Sequence, residues 1–175
     1  MVTDDIVIRQ ATTADQAVVV ALVRDAFGTG GHDPAEEVEI VVSTWASDRR
    51  LDELELVAEV DGVVVGHVLC ALGDLEGTAL PSVAPLAVAP TAQGRGIGTA
   101  LVTEVVRRAE TAGYPALVLL GSDRYYRRFG FEPAGTVGVV YAPVGPASPY
   151  FQIRRLAGFG PSLRGEFAYH WELGR

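Results

Sequence analysis

Apolar and polar residues alternate in Ile6-Val7-Ile8-Arg9, which predicts a short first strand, and Thr13-Ala14-Asp15-Gln16 has the spacing of a helix capping box. The helix that follows carries Val18, Leu22, Val23 and Ala26 at helical spacing and ends at Gly28, ahead of Gly30-Gly31. Pro34 stands at the first turn of a second helix, Ala35 to about Ser47, whose apolar positions are Val38, Val41, Val42 and Trp45 and whose other face is acidic. Leu54 to Val60, Asp61-Gly62 and Val63 to Leu72 read as a β-hairpin, because Asp-Gly supplies the positive φ that a two-residue turn requires. Val83 to Val88 is a further apolar strand. Ile97 to Ala112 is a helix with Ile97, Leu101, Val105 and Ala109 along one stripe, closed by Gly113 and Pro115.

A buried strand, Ala116 to Leu120, comes next, then a short helix near Arg124 to Phe129 and strands near Thr136 to Tyr141 and Phe167 to Trp171. The Pro/Gly-rich stretch between those last two has no periodicity that assigns it. The order β-α-α-β-β-β-α-β-α-β-β predicts an α/β fold, a mixed, mostly antiparallel sheet with helices on both faces. The unit from Val83 to Leu120 should be a right-handed parallel crossover, and the loop after its first strand is where a ligand is expected.

At 175 residues the chain is sized for one domain. Its 49% apolar and 21% charged residues exclude wholesale disorder. The long uncharged run from Gly135 up to Arg154 is broken by Pro143, Pro146 and Pro149, so no membrane span is expected there. The start, MVTDDIVIRQ, has acids where a secretory signal has basic residues, and a cytoplasmic protein is the expectation. One cysteine, Cys70, excludes an intrachain disulfide, and His32, His67 and His170 are too far apart for a zinc motif, so no metal is expected. The chain has no lysine, which removes a Walker phosphate loop and Schiff-base catalysis.

Net charge is 14 − 22 = −8, against a general nucleic-acid binder. The charge is unevenly spread. Residues 1–87 hold 16 acids and 4 arginines (−12), and residues 88–175 hold 6 acids and 10 arginines (+4), so an anionic ligand is expected on the second half.

The candidate for such a ligand is the loop Ala89-Pro90-Thr91-Ala92-Gln93-Gly94-Arg95-Gly96-Ile97-Gly98-Thr99, between an apolar strand and an amphipathic helix. Three glycines in five residues let successive N–H groups converge into an anion nest at a helix N-terminus, suited to a pyrophosphate. The dinucleotide-binding spacing G-x-G-x-x-G fails at Thr99. No G-x-S-x-G elbow accompanies a serine, which leaves a hydrolase without support.

With Gln93-Gly94-Arg95-Gly96-Ile97-Gly98 the chain resembles the GNAT superfamily of acyl-CoA-dependent N-acetyltransferases, whose signature is (Gln/Arg)-x-x-Gly-x-(Gly/Ala). Leu86-Ala87-Val88-Ala89-Pro90 is similar to that family's fourth strand, and Tyr126-Arg127-Arg128-Phe129-Gly130-Phe131 to its Tyr-x-x-x-Gly-Phe segment. The Tyr-Tyr-x-x-Phe-Gly-Phe form resembles small, stand-alone bacterial members. The likeness covers most of residues 6–141, with the segment from about 142 to 175 less typical of a single domain spanning 1–175.

The resemblance implies transfer of an acetyl group from acetyl-CoA to a primary amine of a small molecule or peptide, by direct attack in a ternary complex and without a metal. It implies strands that splay at a bulge, with acetyl-CoA on the main chain of Leu86, Ala87 and Val88 and its pyrophosphate on Gln93, Gly94, Arg95, Gly96, Ile97, Gly98 and Thr99. It makes Tyr126 the acid that protonates the departing thiolate, with Tyr125 second. Ser122-Asp123 stand where many members have an asparagine, and Ser82-Val83-Ala84-Pro85 has no carboxylate where some have a glutamate base. Base function could then pass through water to Glu36, Glu37 or His67, although His67 and Cys70, in one apolar strand, read more simply as core. Arg95 and Arg127 or Arg128 flank the phosphate site, and Trp45, Trp171 and Tyr150-Phe151 fit either core or acceptor pocket.

Two alternatives stay open at this level. The acidic first half, with His32-Asp33-Pro34-Ala35-Glu36-Glu37, favours a cationic amine as acceptor. A chain that keeps the cofactor groove without turnover would be an acyl-CoA sensor or regulatory module. A homodimer, and an acyl group longer than acetyl, are equally compatible with these residues.

Overall fold

The computed structural model describes residues 5–173, and the first four residues of the acidic start lie outside them. Among the described residues there are nine strands: β1 Val7–Gln10, β2 Leu56–Val60, β3 Val63–Leu75, β4 Thr78–Val88, β5 Ala116–Leu120, β6 Glu132–Pro133, β7 Val139–Val140, β8 Phe151–Arg155 and β9 Gly165–Ala168. Four α-helices accompany them: α1 Gln16–Phe27, α2 Ala35–Trp45, α3 Ile97–Thr111 and α4 Asp123–Tyr126. Along the path β1-β2-β3-β4-β5-β8-β6 the sheet is antiparallel except where β4 and β5 lie parallel across the α3 crossover; off that path β9 pairs antiparallel with β3 and parallel with β7. This is the mixed, mostly antiparallel α/β sheet expected. Among the described residues no helix is long and apolar enough to cross a membrane.

Strand periodicity divides the core. Val57, Leu69 and Ala87 face one side and pack with Val19, Leu22, Val23 and Val41 of α1 and α2. Leu56, Ala58, Val68 and Cys70 face the other and pack with Ile97, Leu101, Val105 and Ala109 of α3. Both sheet faces are thereby covered, as a central sheet requires. A third cluster, Leu75, Leu80, Ala116, Val118, Phe151, Ile153, Phe167 and Tyr169, gathers the C-terminal segment against the far ends of β3 to β5.

Where the structure differs from the sequence reading, the reasons are local. The capping box lies one residue earlier: the Thr12 backbone N–H and Oγ1 donate to the Asp15 carboxylate at 2.8 and 3.0 Å. Arg9 grips the same carboxylate from β1 at 2.8 Å and holds it well below the usual carboxylate range. On α1, Val19 is buried and Val18 exposed, and on α2 Val42 is exposed beside buried Val41.

The strand expected at Val83 starts at Thr78, because Glu76 (φ 48°) and Gly77 (φ 85°) form a second tight hairpin turn like Asp61 (φ 53°) and Gly62 (φ 76°). Of the strand expected from Thr136 to Tyr141 only Val139–Val140 forms, as β7; Thr136 and Val137 end a 3-10 turn, Ala134–Val137. Phe167 to Trp171 gives way to a 3-10 turn at His170. The unassigned stretch contains β8, which pairs along all of β5.

Candidate active site

Strands β4 and β5 pair only at Ser82↔Val118 and Val83↔Leu119. Beyond that point two residues of β4, Ala84 and Pro85, stand opposite one of β3, Leu69, between the pairs Val83↔Cys70 and Leu86↔Val68, a bulge that turns β4 away from β5. The main chain of Leu86 and Val88 is left facing the gap: the Val88 carbonyl accepts a hydrogen bond from the Gln93 side-chain amide at 3.1 Å, not from a strand. Leu86, two residues back, presents the same edge.

Into this gap the glycine loop delivers the N-terminus of α3. Gly94 (φ 77°) and Gly96 (φ 85°, the N-cap of α3) have left-handed backbone that β-branched residues do not adopt. A cleft of about 520 Å³ results, lined by Leu86, Val88, Gln93, Gly94, Gly96, Ile97, Gly98, Thr99, Tyr125 and Arg128. Free N–H groups at the head of a fifteen-residue helix make one end of it electropositive. Arg128 adds a guanidinium, 4.6 Å above the Tyr125 ring.

A second cavity of about 510 Å³ adjoins the first at Leu86. Its walls include Val83, Ala84 and Pro85 of the bulge, Leu120 to Ser122 at the end of β5, Phe27 from α1, Glu36, Glu37 and Ile40 from α2, and Tyr126, Tyr141, Tyr169 and Trp171. One end of the molecule thus holds an anion-accepting cleft and an aromatic cavity with carboxylates on its rim, in contact at one strand edge.

The two consecutive tyrosines of α4 serve different cavities, and a glycine makes room for each. A Cβ on Gly98 would lie 2.5 Å from the Tyr125 hydroxyl, in the cleft. A Cβ on Gly121 would lie 2.6 Å from the Tyr126 ring, in the cavity. Tyr126 packs edge-on to Tyr125 (4.9 Å between centroids) and Phe131 (5.8 Å). Burial pushes its hydroxyl well above the ordinary phenol range, with no hydrogen bond to oppose the shift. It therefore stays protonated at neutral pH, the form that gives up a proton. Tyr125 is raised as well, by burial, with Arg128 and Thr99 pulling the other way.

The other residues singled out in the sequence separate cleanly. Ala87 is buried and turns its side chain toward α1 and α2, while Arg95 lies on the exposed loop outside the cleft lining. His67 is fully buried and hydrogen-bonds Glu55 at 2.9 Å; that carboxylate also accepts from Trp45 Nε1 at 2.9 Å and Arg50 Nε at 2.7 Å. This network ties α2 to the sheet and does not reach either cavity. Burial raises the Cys70 thiol, which makes it inert. Arg127 pairs with Asp123 on the surface. Phe151 is core, Tyr150 is exposed and Trp171 lines the second cavity. Phe27, Ile40, Tyr141 and Tyr169 escaped the sequence reading. Gly121, a glycine directly after a buried strand, was the one available signal for how closely Tyr126 packs there.

Among the described residues no group of three or more His, Cys, Asp or Glu side chains could hold a metal ion. The sequence model of the acetyltransferase (GNAT) family matches residues 18–131, well over half of the chain and all of both tyrosines' surroundings up to Phe131. The chain belongs to the GNAT family.

Two relatives from Escherichia coli K12 are similar to it: the uncharacterized N-acetyltransferase YhbS, 40% identical over 107 residues, and the uncharacterized N-acetyltransferase YjhQ, 33% identical over 109. Each alignment takes in 59% of this chain, and it spans 64% of YhbS and 60% of YjhQ. Solved structures resemble it over nearly its whole length. The E. coli YhbS structure in complex with CoA has a TM-score of 0.85 at 31% identity, covering 97% of this chain and 92% of that one. A GNAT family acetyltransferase from Brucella melitensis in complex with acetyl-CoA has a TM-score of 0.77 at 31% identity, covering 95% and 97%. Both structural alignments run past residue 131, into the C-terminal segment that the family match leaves out.

Two GNAT features are replaced here. At the asparagine position Ser122 lines the second cavity, and Asp123 opens α4 and pairs with Arg127. On β4, where some members carry a glutamate, the bulge offers Ala84 and Pro85, and the carboxylates that line the second cavity come from α2.

Proposed function

We propose that this protein transfers an acetyl group from acetyl-CoA to a primary amine, by direct attack with both substrates bound. The observation that carries the reading is the contact of the two cavities at Leu86, one suited to a pyrophosphate and one to an amine. The relatives whose structures hold acetyl-CoA and CoA support the choice of donor. In this reading the Gly94–Thr99 amides and Arg128 hold the donor's phosphates. The open β4 edge pairs with the pantetheine arm, and backbone N–H there stabilises the oxyanion of the attacked thioester.

The amine nitrogen attacks the carbonyl carbon and forms the C–N bond as the π pair moves to oxygen. Collapse of the adduct breaks the C–S bond, and the thiolate takes its proton from Tyr126. The ammonium first gives one proton through water to Glu36 or Glu37 on the cavity wall, which assume the base role that β4 does not supply and free the lone pair for attack; the second proton, lost from the adduct, returns through water to the Tyr126 phenolate. The acceptor is cationic before it reacts, because aromatic faces beside carboxylates attract ammonium groups. The test is release of free CoA from acetyl-CoA across a panel of amines. Amine-dependent release, strongest for cationic amines, is expected. Tight acetyl-CoA binding without release for any amine would replace this reading with a non-catalytic sensor.

A further inference from the structure

Tyr169, on the wall of the acceptor-side cavity, carries a buried hydroxyl that has no role in the reaction above. The residue is 2% exposed, and its Oη has no hydrogen-bond partner among the described residues. Its ring is fixed from several sides. It stacks on Trp171 (4.4 Å between centroids, 10° between planes) and meets Tyr141 and Phe167 edge-on at 5.1 and 5.0 Å. Its backbone N–H is tied to the Glu172 carboxylate at 2.8 Å. The hydroxyl therefore cannot swing out to water.

A phenylalanine would make the same ring contacts without burying an unpaired O–H, which is unfavourable in any apolar setting. Buried polar groups in folded proteins almost always have partners, so an orphan at the wall of a ligand cavity marks a place for a ligand atom. Tyr169 lines the cavity that Tyr126, Leu86 and Glu36 share. The phenols of Tyr169 and Tyr126 are near enough for charge on one to act on the other, and burial keeps both protonated. A protonated phenol has one donor and two acceptor lone pairs.

We propose that the Tyr169 hydroxyl anchors the acceptor amine: it accepts one N–H of the nitrogen and so turns the nitrogen lone pair toward the thioester carbonyl at the Leu86 edge. The assignment rests on the acetyl-transfer reading and adds to it the group that orients the acceptor nitrogen. A primary amine keeps an N–H for Tyr169 while its lone pair attacks, whereas a tertiary amine has none to give. Phe27, Ile40 and Trp171 surround the approach, so the nitrogen sits on an alkyl stem.

The experiment compares wild type with Tyr169→Phe, using spermidine and n-butylamine as probes. Expected for the variant are an unchanged or higher Tm, unchanged acetyl-CoA affinity, and a KM for each amine raised about tenfold, the worth of one hydrogen bond. The change in kcat should be smaller than that in KM. Wild-type KM and kcat in the variant would overturn the anchor, as would a lowered Tm with weakened acetyl-CoA binding, which marks a structural hydroxyl. If wild type turns over neither amine, the transfer reading fails on its own. Calorimetric titration of each amine into the CoA-bound protein then decides the anchor: binding that wild type shows and Tyr169→Phe loses supports it, and equal or absent binding overturns it.

Discussion

The two cavities that meet at Leu86 are built from different materials. The cleft comes largely from one continuous stretch, Leu86 to Thr99, and its recognition groups are main-chain amides freed by a bulge and two left-handed glycines. The cavity beside it takes side chains from α1, α2, β4, the end of β5, α4 and three positions beyond residue 140. Main-chain groups are the same in every protein, so a site made of them suits a ligand that does not vary. Side chains from six segments can change one at a time, which suits a ligand that does. In the proposed reaction the donor is the constant partner and the acceptor the variable one.

Substitutions on the two sides should separate turnover, donor affinity and acceptor preference. The largest effect is expected at Tyr126, which faces the acceptor side but acts on the donor's sulfur. Tyr126→Phe should lower kcat by roughly 10²–10⁴-fold, the usual worth of general acid–base help. Its acetyl-CoA affinity should stay near wild type. Because burial raises the Tyr126 hydroxyl above the ordinary phenol range, loss of its proton should bring no fall in wild-type kcat below about pH 10. A variant that keeps full kcat, with chemistry shown to be rate-limiting, would hand the acid role to another group.

On the donor side, Gly98→Val sets a branched side chain where a Cβ alone is 2.5 Å from the Tyr125 hydroxyl. The added methyls and the displaced Tyr125 ring would obstruct the cleft that Gly98 and Tyr125 line, so acetyl-CoA affinity should fall roughly ten- to hundredfold, about 1–3 kcal/mol, by calorimetric titration. Amine preference among the molecules still turned over should not move. Undiminished affinity in a folded variant would remove the α3 N-terminus from the donor site.

The smallest effect is expected at the acidic rim. Glu36→Gln alone, with Glu37 left to take the amine's proton, should reduce kcat/KM for spermidine several-fold at low salt and less at 0.15 M, where charges are screened beyond about 8 Å. Glu37 also contacts His32 at 3.0 Å, so its own variant would mix steering with that loop contact. A neutral amine preferred by wild type at every ionic strength would break the comparison on its acceptor side.

The donor half was legible because its signals are local. Leu86 to Val88 reads as a buried strand, and three glycines ahead of the stripe Ile97, Leu101, Val105 and Ala109 read as a nest opening a helix; each depends only on residues a few positions apart. The Asp61-Gly62 hairpin was legible for the same reason, and Glu76-Gly77 makes the same turn without announcing it, since glutamate gives no hint that it will take a positive φ. The acceptor half depends on contacts distant in sequence. Whether Trp171 was core or pocket, which consecutive tyrosine would face which cavity, and whether His67 met a substrate or Glu55 were settled only by packing.

β8 shows the limit most plainly. Phe151 to Arg155 sits in a Pro/Gly-rich stretch without a pattern of its own and becomes a strand because β5 has an unpaired edge beside it. That pairing helps place the aromatic cluster in which Tyr169 is locked. Sequence alone determined the Asp61-Gly62 hairpin, the β4-α3-β5 crossover and the glycine loop that opens α3, since backbone conformation and periodicity are local properties of the chain. The tertiary structure decided the acceptor cavity, since side chains more than a hundred residues apart meet there only once the sheet has brought their strands together.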